Sequence, residues 1–399
     1  MKSLKRGSRL ITLMISVFII GMIVLIAKIQ MEASFYISNS GSRNLGYIYD
    51  RNGDIIFDDN AENGQYPDGY FKDLGNLIGD ASGQMTNTLV AKNLEKLSNY
   101  SFTSGITYKG GKAAIYSTLS HEANEAVYSA FGDKDGCAIA YNYKTGEILV
   151  CVSRPSVDPL KGYEDLAEGS LLCKAFYKTV PGSTQKIATL ISAVETMGMD
   201  ALMEKSFTCN GVYTNNTGLD IVCHNEYGHG TQNIREAFAN SCNPFFAQLV
   251  EDSGWSLSDI EDCYKKLGYS VNGSEETEIS IDGIISSKAS TTLEDKNEFN
   301  TQWSCIGQGT SLVSPCQLMM WQSAIANESG KSTMPYLIDH VTNVNGRTVE
   351  NASTNYSEQL FSSQTASEVK DIMLENGLNY TGKIPGYTLG IKSGTAQVK

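Results

Sequence analysis

Apolar residues recur at helical spacing in Ile187, Leu190, Ile191, Val194 and Met197, which predicts a buried helix over 187–197. The stretch Val180-Pro181-Gly182-Ser183-Thr184-Gln185-Lys186 leads into it. Proline and glycine suit a helix entrance, and Gly198 is a plausible C-cap. Three residues of separation put Ser183 and Lys186 on one face of the first turn, beside N–H groups that a helix start leaves unpaired. A hydroxyl, an amine and oxyanion donors so arranged suit a serine nucleophile with a lysine base.

Apolar, β-rich runs bounded by turn residues predict strands. Cys137-Ala138-Ile139-Ala140-Tyr141 and Glu147-Ile148-Leu149-Val150-Cys151-Val152 flank a five-residue turn and read as a hairpin. Two β-rich runs around 50–54 read as a shorter one, and 387–391 reads as a strand ending in Lys392-Ser393-Gly394-Thr395. Helices are expected over 123–131, 233–240 and 367–374. Another is opened by Ser314-Pro315-Cys316-Gln317, read as a capping box, and runs to about Asn327. Pro244 forbids simple continuation of the 233–240 helix, so Ser241 and Asn243 fall at a break. Gly307-Gln308-Gly309 is a tight turn, and Glu375-Asn376-Gly377-Leu378-Asn379 reads as a helix end with Gly377 as C-cap.

The uncharged stretch 10–27 follows Lys2, Lys5, Arg6 and Arg9, and Lys28-Ile29-Gln30-Met31-Glu32 offers no small-x-small cleavage site. It reads as an uncleaved single-pass anchor with residues 1–9 as a cytoplasmic tail and the rest of the chain outside. Residues 28–111 are polar and read as a membrane-proximal stalk or docking module, and composition changes near Lys112, where the main domain (112–399) begins.

With 31 basic against 44 acidic residues among 399, the net charge is −13, which argues against a nucleic-acid surface. The nine cysteines include no Cys-x-x-Cys pair. Cys209 and Cys223, flanking a polar segment, are the candidate bridge. Cys223, His224 and His229 have a spacing that fits no defined zinc ligand set, so no metal or cofactor is expected.

Ser-x-x-Lys, Ser-x-Asn and Lys-[Ser/Thr]-Gly each recur elsewhere, at Ser367/Lys370, Ser270/Asn272 and Lys144/Gly146, so none decides anything alone. The ordered set does: Ser183-x-x-Lys186 at a helix start, Ser241-Cys242-Asn243 at a break, Lys392-Ser393-Gly394 at a strand end. With it the chain resembles the transpeptidase domain of class B penicillin-binding proteins. The resemblance extends to 136–159, to the Gly-Gln-Gly turn with its following helix, and to the Asp50-Arg51-Asn52-Gly53 element.

The resemblance implies an α+β fold of the serine transpeptidase/β-lactamase type, an antiparallel sheet with helices on both faces. It implies that Ser183 attacks the D-Ala-D-Ala amide of a peptidoglycan stem peptide and is acylated by β-lactams, with Lys186 as base. Ser241 would relay the proton, and Asn243 would position substrate and Lys186. Lys392, Ser393 and Thr395 would hold the terminal carboxylate beside Gly394, with the Ser183 and Thr395 amides as oxyanion hole. Other wall-synthesis proteins are expected as partners. The family usually has threonine where Ser393 stands, and two strands and a helix after the third motif, so the chain is expected to be a fragment or truncated product of low activity. A serine β-lactamase, or a scaffold or sensor that binds penicillin without cross-linking, are the alternatives.

Overall fold

Asp50 closes the first hairpin. Its Oδ1 accepts the N–H groups of Asn52 (2.7 Å) and Asp54 (3.0 Å), while Oδ2 accepts the N–H of His121 at the start of helix His121–Ala130. One buried carboxylate therefore sets a turn and fastens it to a helix N-terminus, where negative charge is favoured. The computed structural model describes residues 2–31, 45–59, 71–80, 82–98, 100–101, 105–106, 111–252 and 254–396.

The strands of this hairpin, Tyr47–Tyr49 and Ile55–Asp58, edge a five-stranded sheet. Tyr47–Tyr49 pairs in parallel with Ala114–Ser117, which pairs antiparallel with Ile338–Thr342 and through it with Thr348–Asn351. The rings of Tyr49, Tyr116 and His340 stack across three of these strands, at 4.8 and 4.1 Å between centroids. Ile48, Phe57, Leu89 and Leu94, from the span expected to be a membrane-proximal module, share one core with Ile115, Ile148, Phe176, Met320 and Val341. The hairpin Gly136–Tyr141/Ile148–Arg154 packs against that core.

A second core surrounds the central helix Lys186–Met197, whose Ile187, Leu190, Ile191 and Val194 pack with Phe238, Phe245, Tyr264, Trp321 and Val369. Helix Lys2–Met31 lies outside both cores. Its segment Ile11–Ile29, of mean hydropathy 2.5 and 0% buried, is long and apolar enough to cross a membrane.

Three expectations change here. The polar helix is longer, Ser363–Gly377, and amphipathic: Ala366, Val369, Ile372 and Met373 are buried, a stripe diluted in sequence by the charges between them. Gly377 is no left-handed cap but has helical φ −59°, and the chain continues into the turn Leu378–Tyr380. The predicted strand at 387–391 forms no ladder among the described residues. Only Ile391 N–H, given to Met373 O (3.1 Å), and Ile391 O, accepting from Asn376 Nδ2 (2.7 Å), tie it to that helix.

Gly377 is required by this close approach, because a Cβ there would lie 1.6 Å from Leu389 O. In an isolated helix Ala in place of Gly stabilises by about 1 kcal/mol. Gly377→Ala is therefore expected to leave the thermal midpoint nearly unchanged while displacing 387–396. Hydrogen exchange would show faster exchange confined to those amides; a uniform loss of protection would contradict this account.

Candidate active site

Pro181 and Gly182 open a 3-10 turn, Gly182–Gln185, which passes directly into the central helix. Ser183 thus sits on the tighter turn and Lys186 at the first α-helical position, one turn apart as the spacing predicts. Gly182 has φ +55°, and a Cβ on it would meet Thr395 O at 2.7 Å. Gly307 has φ +100° and caps helix Phe299–Ile306; its Cβ would meet Gly182 O at 1.7 Å. Two glycines thus let three chain segments close around Ser183.

Asn233 and Glu236 form a reciprocal capping box that starts helix Ile234–Ala239. The helix stops at Ser241, whose φ of +52° is left-handed, and the chain restarts as helix Asn243–Glu251 with Pro244 in its first turn. At this reversal the Ser241 carbonyl and the Asn243 side chain both turn to Lys186.

Lys186 is 0% exposed. Its Nζ lies 2.8 Å from Ser183 Oγ, 2.7 Å from Asn243 Oδ1, 3.1 Å from Ser241 O and 3.5 Å from Ser241 Oγ. Burial, and then the charge of Lys392, push its pKa well below that of a free lysine. Lys392 Nζ donates to Ser241 Oγ (2.8 Å) and to Ser393 O (2.8 Å), and burial lowers its pKa to about 8. Ser241 Oγ thus bridges the two amines.

These groups border a cleft of about 240 Å³ lined by Ser183, Ser241, Asn243, Ser393, Gly394 and Thr395 among others. The structure therefore gathers Ser183, Lys186, Ser241, Asn243 and Lys392 into one hydrogen-bonded group, with Ser393, Gly394 and Thr395 lining the same cleft. Ser183 is second in its turn, so its N–H is free of intrahelical pairing. Trp303 and Gln308 also line the cleft and were not singled out as site residues. The Gly-Gln-Gly turn was the signal for Gln308; nothing local marks Trp303. Cys209 and Cys223 are free thiols, not a bridge.

The penicillin binding protein transpeptidase domain family matches residues 136–399. The chain is 31% identical over 271 residues to stage V sporulation protein D of Bacillus subtilis, covering 65% of this chain and 39% of that protein. It is 26% identical over 319 residues to peptidoglycan D,D-transpeptidase PbpA of Mycolicibacterium smegmatis, covering 74% and 62% respectively. It spans less than two thirds of either relative. Among solved structures, the imipenem acyl-enzyme of penicillin-binding protein A from M. tuberculosis is similar in fold, with TM-score 0.75 at 19% identity over 90% of this chain and 88% of that one. A family model that covers most of the chain, and whose match contains all three motifs, settles the affiliation: the chain belongs to the penicillin-binding protein transpeptidases.

Proposed function

We propose that this chain is a serine D,D-transpeptidase that cross-links peptidoglycan stem peptides and is acylated by β-lactams. The observation that carries this is the environment of Lys186. A neutral lysine has two hydrogens and one lone pair. Asn243 Oδ1 and Ser241 O are acceptors only, and they take the two hydrogens. The lone pair is left for the Ser183 hydroxyl, 2.8 Å away. A base held neutral by burial and already aimed at its proton is what an acylating serine needs.

In the proposed reaction Ser183 Oγ bonds to the penultimate D-alanine carbonyl carbon as its proton passes to Lys186. The amide C–N bond then breaks, and a proton passes through Ser241 Oγ to the departing D-alanine amine. The amine of a second stem peptide attacks the acyl-enzyme, forms the new amide and returns the Ser183 proton. Lys392 with Ser393 and Thr395 would hold the terminal carboxylate beside Gly394, and the Ser183 and Thr395 amides would stabilise the oxyanion. A β-lactamase would need a base for its deacylating water. Among the described residues none that lines the cleft is a carboxylate, and the sequence candidate Glu375 pairs with Arg235 at the surface (2.7 Å).

The apolar helix fits a membrane anchor, and Lys2, Lys5, Arg6 and Arg9 support a cytoplasmic N-terminus with the cleft outside. Residues 28–111 would then be the membrane-proximal part through which other wall-synthesis proteins dock.

Incubating the full chain in detergent with penicillin is expected to give a stable adduct of one penicillin by intact mass, absent in Ser183→Ala; rapid turnover of the drug would sink the transpeptidase reading in favour of a lactamase. The acylation rate is expected to rise with pH as Lys186 loses its proton, because its pKa is depressed and only the neutral amine accepts. It should fall again near pH 8 as Lys392 loses the charge that holds the carboxylate. Lys186→Arg, which stays protonated, should lower the rate by roughly 10³-fold. A rate that does not fall through pH 8 would be inconsistent with the Lys392 role, and a rate that does not drop at any lower pH would be inconsistent with Lys186 as base.

A further inference from the structure

Beside the Ser241–Asn243 turn lies a group of side chains that acylation leaves unused. Strand Phe207–Cys209 pairs with Gly230–Gln232, and the hairpin Val212–Thr214/Asp220–Val222 ends at Cys223. The Cys223 N–H donates to Gly211 O (2.8 Å) and the His229 N–H to Cys209 O (3.0 Å). Gly211 and Gly228 permit this crossing: a Cβ would lie 2.0 Å from Glu226 O at the first and 2.2 Å from Cys209 O at the second. The folded ribbon meets Cys242, the residue that precedes helix Asn243–Glu251.

The Sγ atoms of Cys209, Cys223 and Cys242 and a ring nitrogen of His229 all lie within 4.8 Å of one another. His229 Nδ1 is 3.4 Å from Cys223 Sγ and 3.8 Å from Cys209 Sγ. With Zn–S near 2.3 Å and Zn–N near 2.0–2.1 Å, a tetrahedral site has edges of about 3.8 Å between sulfurs and about 3.5 Å between sulfur and nitrogen. The observed separations fit such a site. A disulfide would need sulfurs about 2.05 Å apart, and all three cysteines are free. A second observation points the same way. Gln232, three residues after His229 on the strand that pairs with Phe207–Cys209, has a buried Nε2 with no hydrogen-bond partner among the described residues, a donor left over beside the strand that carries Cys209.

We infer that Cys209, Cys223, His229 and Cys242 form a closed tetrahedral site for a zinc-like divalent ion, and that this ion holds the turn carrying Ser241 and Asn243. Four protein ligands leave no open position, so the site is structural. Binding converts three thiols to thiolates and releases three protons, leaving a net charge of −1. Cys242, at the N-terminus of a nine-residue helix, is placed where that charge is favoured. The ligand set differs from the sequence triplet considered above: the exposed His224 is replaced by Cys209 and Cys242, which come from other segments.

The test uses the full chain in detergent, purified with a thiol reductant and no added metal. One zinc per chain is expected, and the cobalt-substituted protein should show the intense visible bands of tetrahedral cobalt thiolate. Cys209→Ser and Cys223→Ser should weaken zinc binding at least roughly tenfold, while Cys263→Ser, buried elsewhere, should keep it. Removal of the metal by a chelator should slow penicillin acylation roughly tenfold, with recovery on adding zinc. A chain that is acylated by penicillin yet holds no zinc, an octahedral cobalt spectrum, or a Cys223–Cys242 disulfide in the unreduced mass would overturn the site. Unchanged acylation after complete zinc removal would overturn its positioning role. The cobalt and zinc measurements are made on the unmutated chain, so a variant that fails to fold leaves them decisive.

Discussion

The site depends on one buried amine without a carboxylate beside it. Among the described residues Lys186 forms no ion pair, and the other charge nearest it in the site, Lys392, has the same sign. Burying a charged ammonium on such terms would be expensive, and the pKa of the amine is pushed well below that of a free lysine, which favours the neutral form. Its surroundings then need to satisfy only the two hydrogens and one lone pair of a neutral amine. An amide oxygen, a main-chain carbonyl and a hydroxyl do so. A carboxylate in place of Asn243 would favour the ammonium, so a neutral acceptor suits the base proposed above.

Precision around that amine comes from backbone pressed against backbone. Gly182, Gly307 and Thr395 belong to three segments far apart in sequence, yet the space for a Cβ at either glycine is filled by a main-chain oxygen. Such contacts cannot be relaxed by a side-chain rotamer, so they fix Ser183 relative to the third motif more tightly than side-chain packing would. Gly394 approaches the same turn, where a Cβ would lie 3.0 Å from Thr184 Cγ2. The 389–395 segment is thus held between the Gly377 helix and the Gly182 turn without being part of a ladder.

Features whose cause is local were legible in the sequence. The periodic stripe Ile187, Leu190, Ile191 and Val194 gave the central helix, and Asp50 with Gly53 gave the first turn, because short-range chemistry decides both. The strand at 387–391 was misread because its alternation satisfies only a local preference, whereas a strand exists through partners that pair with it. The 363–377 helix was read too short because charges interrupt its apolar stripe. The grouping of Cys209, Cys223, His229 and Cys242 was not legible, because β-pairing brings His229 toward Cys209 and a separate helix start supplies Cys242. Trp303 was invisible for the same reason, since only the fold of helix Phe299–Ile306 brings it to the cleft.

The break at Ser241 shows why a motif of this spacing cannot sit within a regular helix. Residues two apart on an α-helix point about 200° from one another, so Ser241 and Asn243 would face opposite sides. One left-handed residue, at φ +52°, reverses the chain between two helices and turns the Ser241 carbonyl and the Asn243 amide oxygen to the same amine. A non-glycine residue there carries a strain of about 1 kcal/mol or more. Glycine would remove the strain but also the Oγ that joins Lys186 to Lys392. The strain persists because the capping box of Asn233 and Glu236 fixes the helix before it, Pro244 fixes the helix after it, and the Lys186 contact holds the carbonyl between them. The conformation that the backbone disfavours is therefore the one that lets two residues of a tripeptide reach one amine.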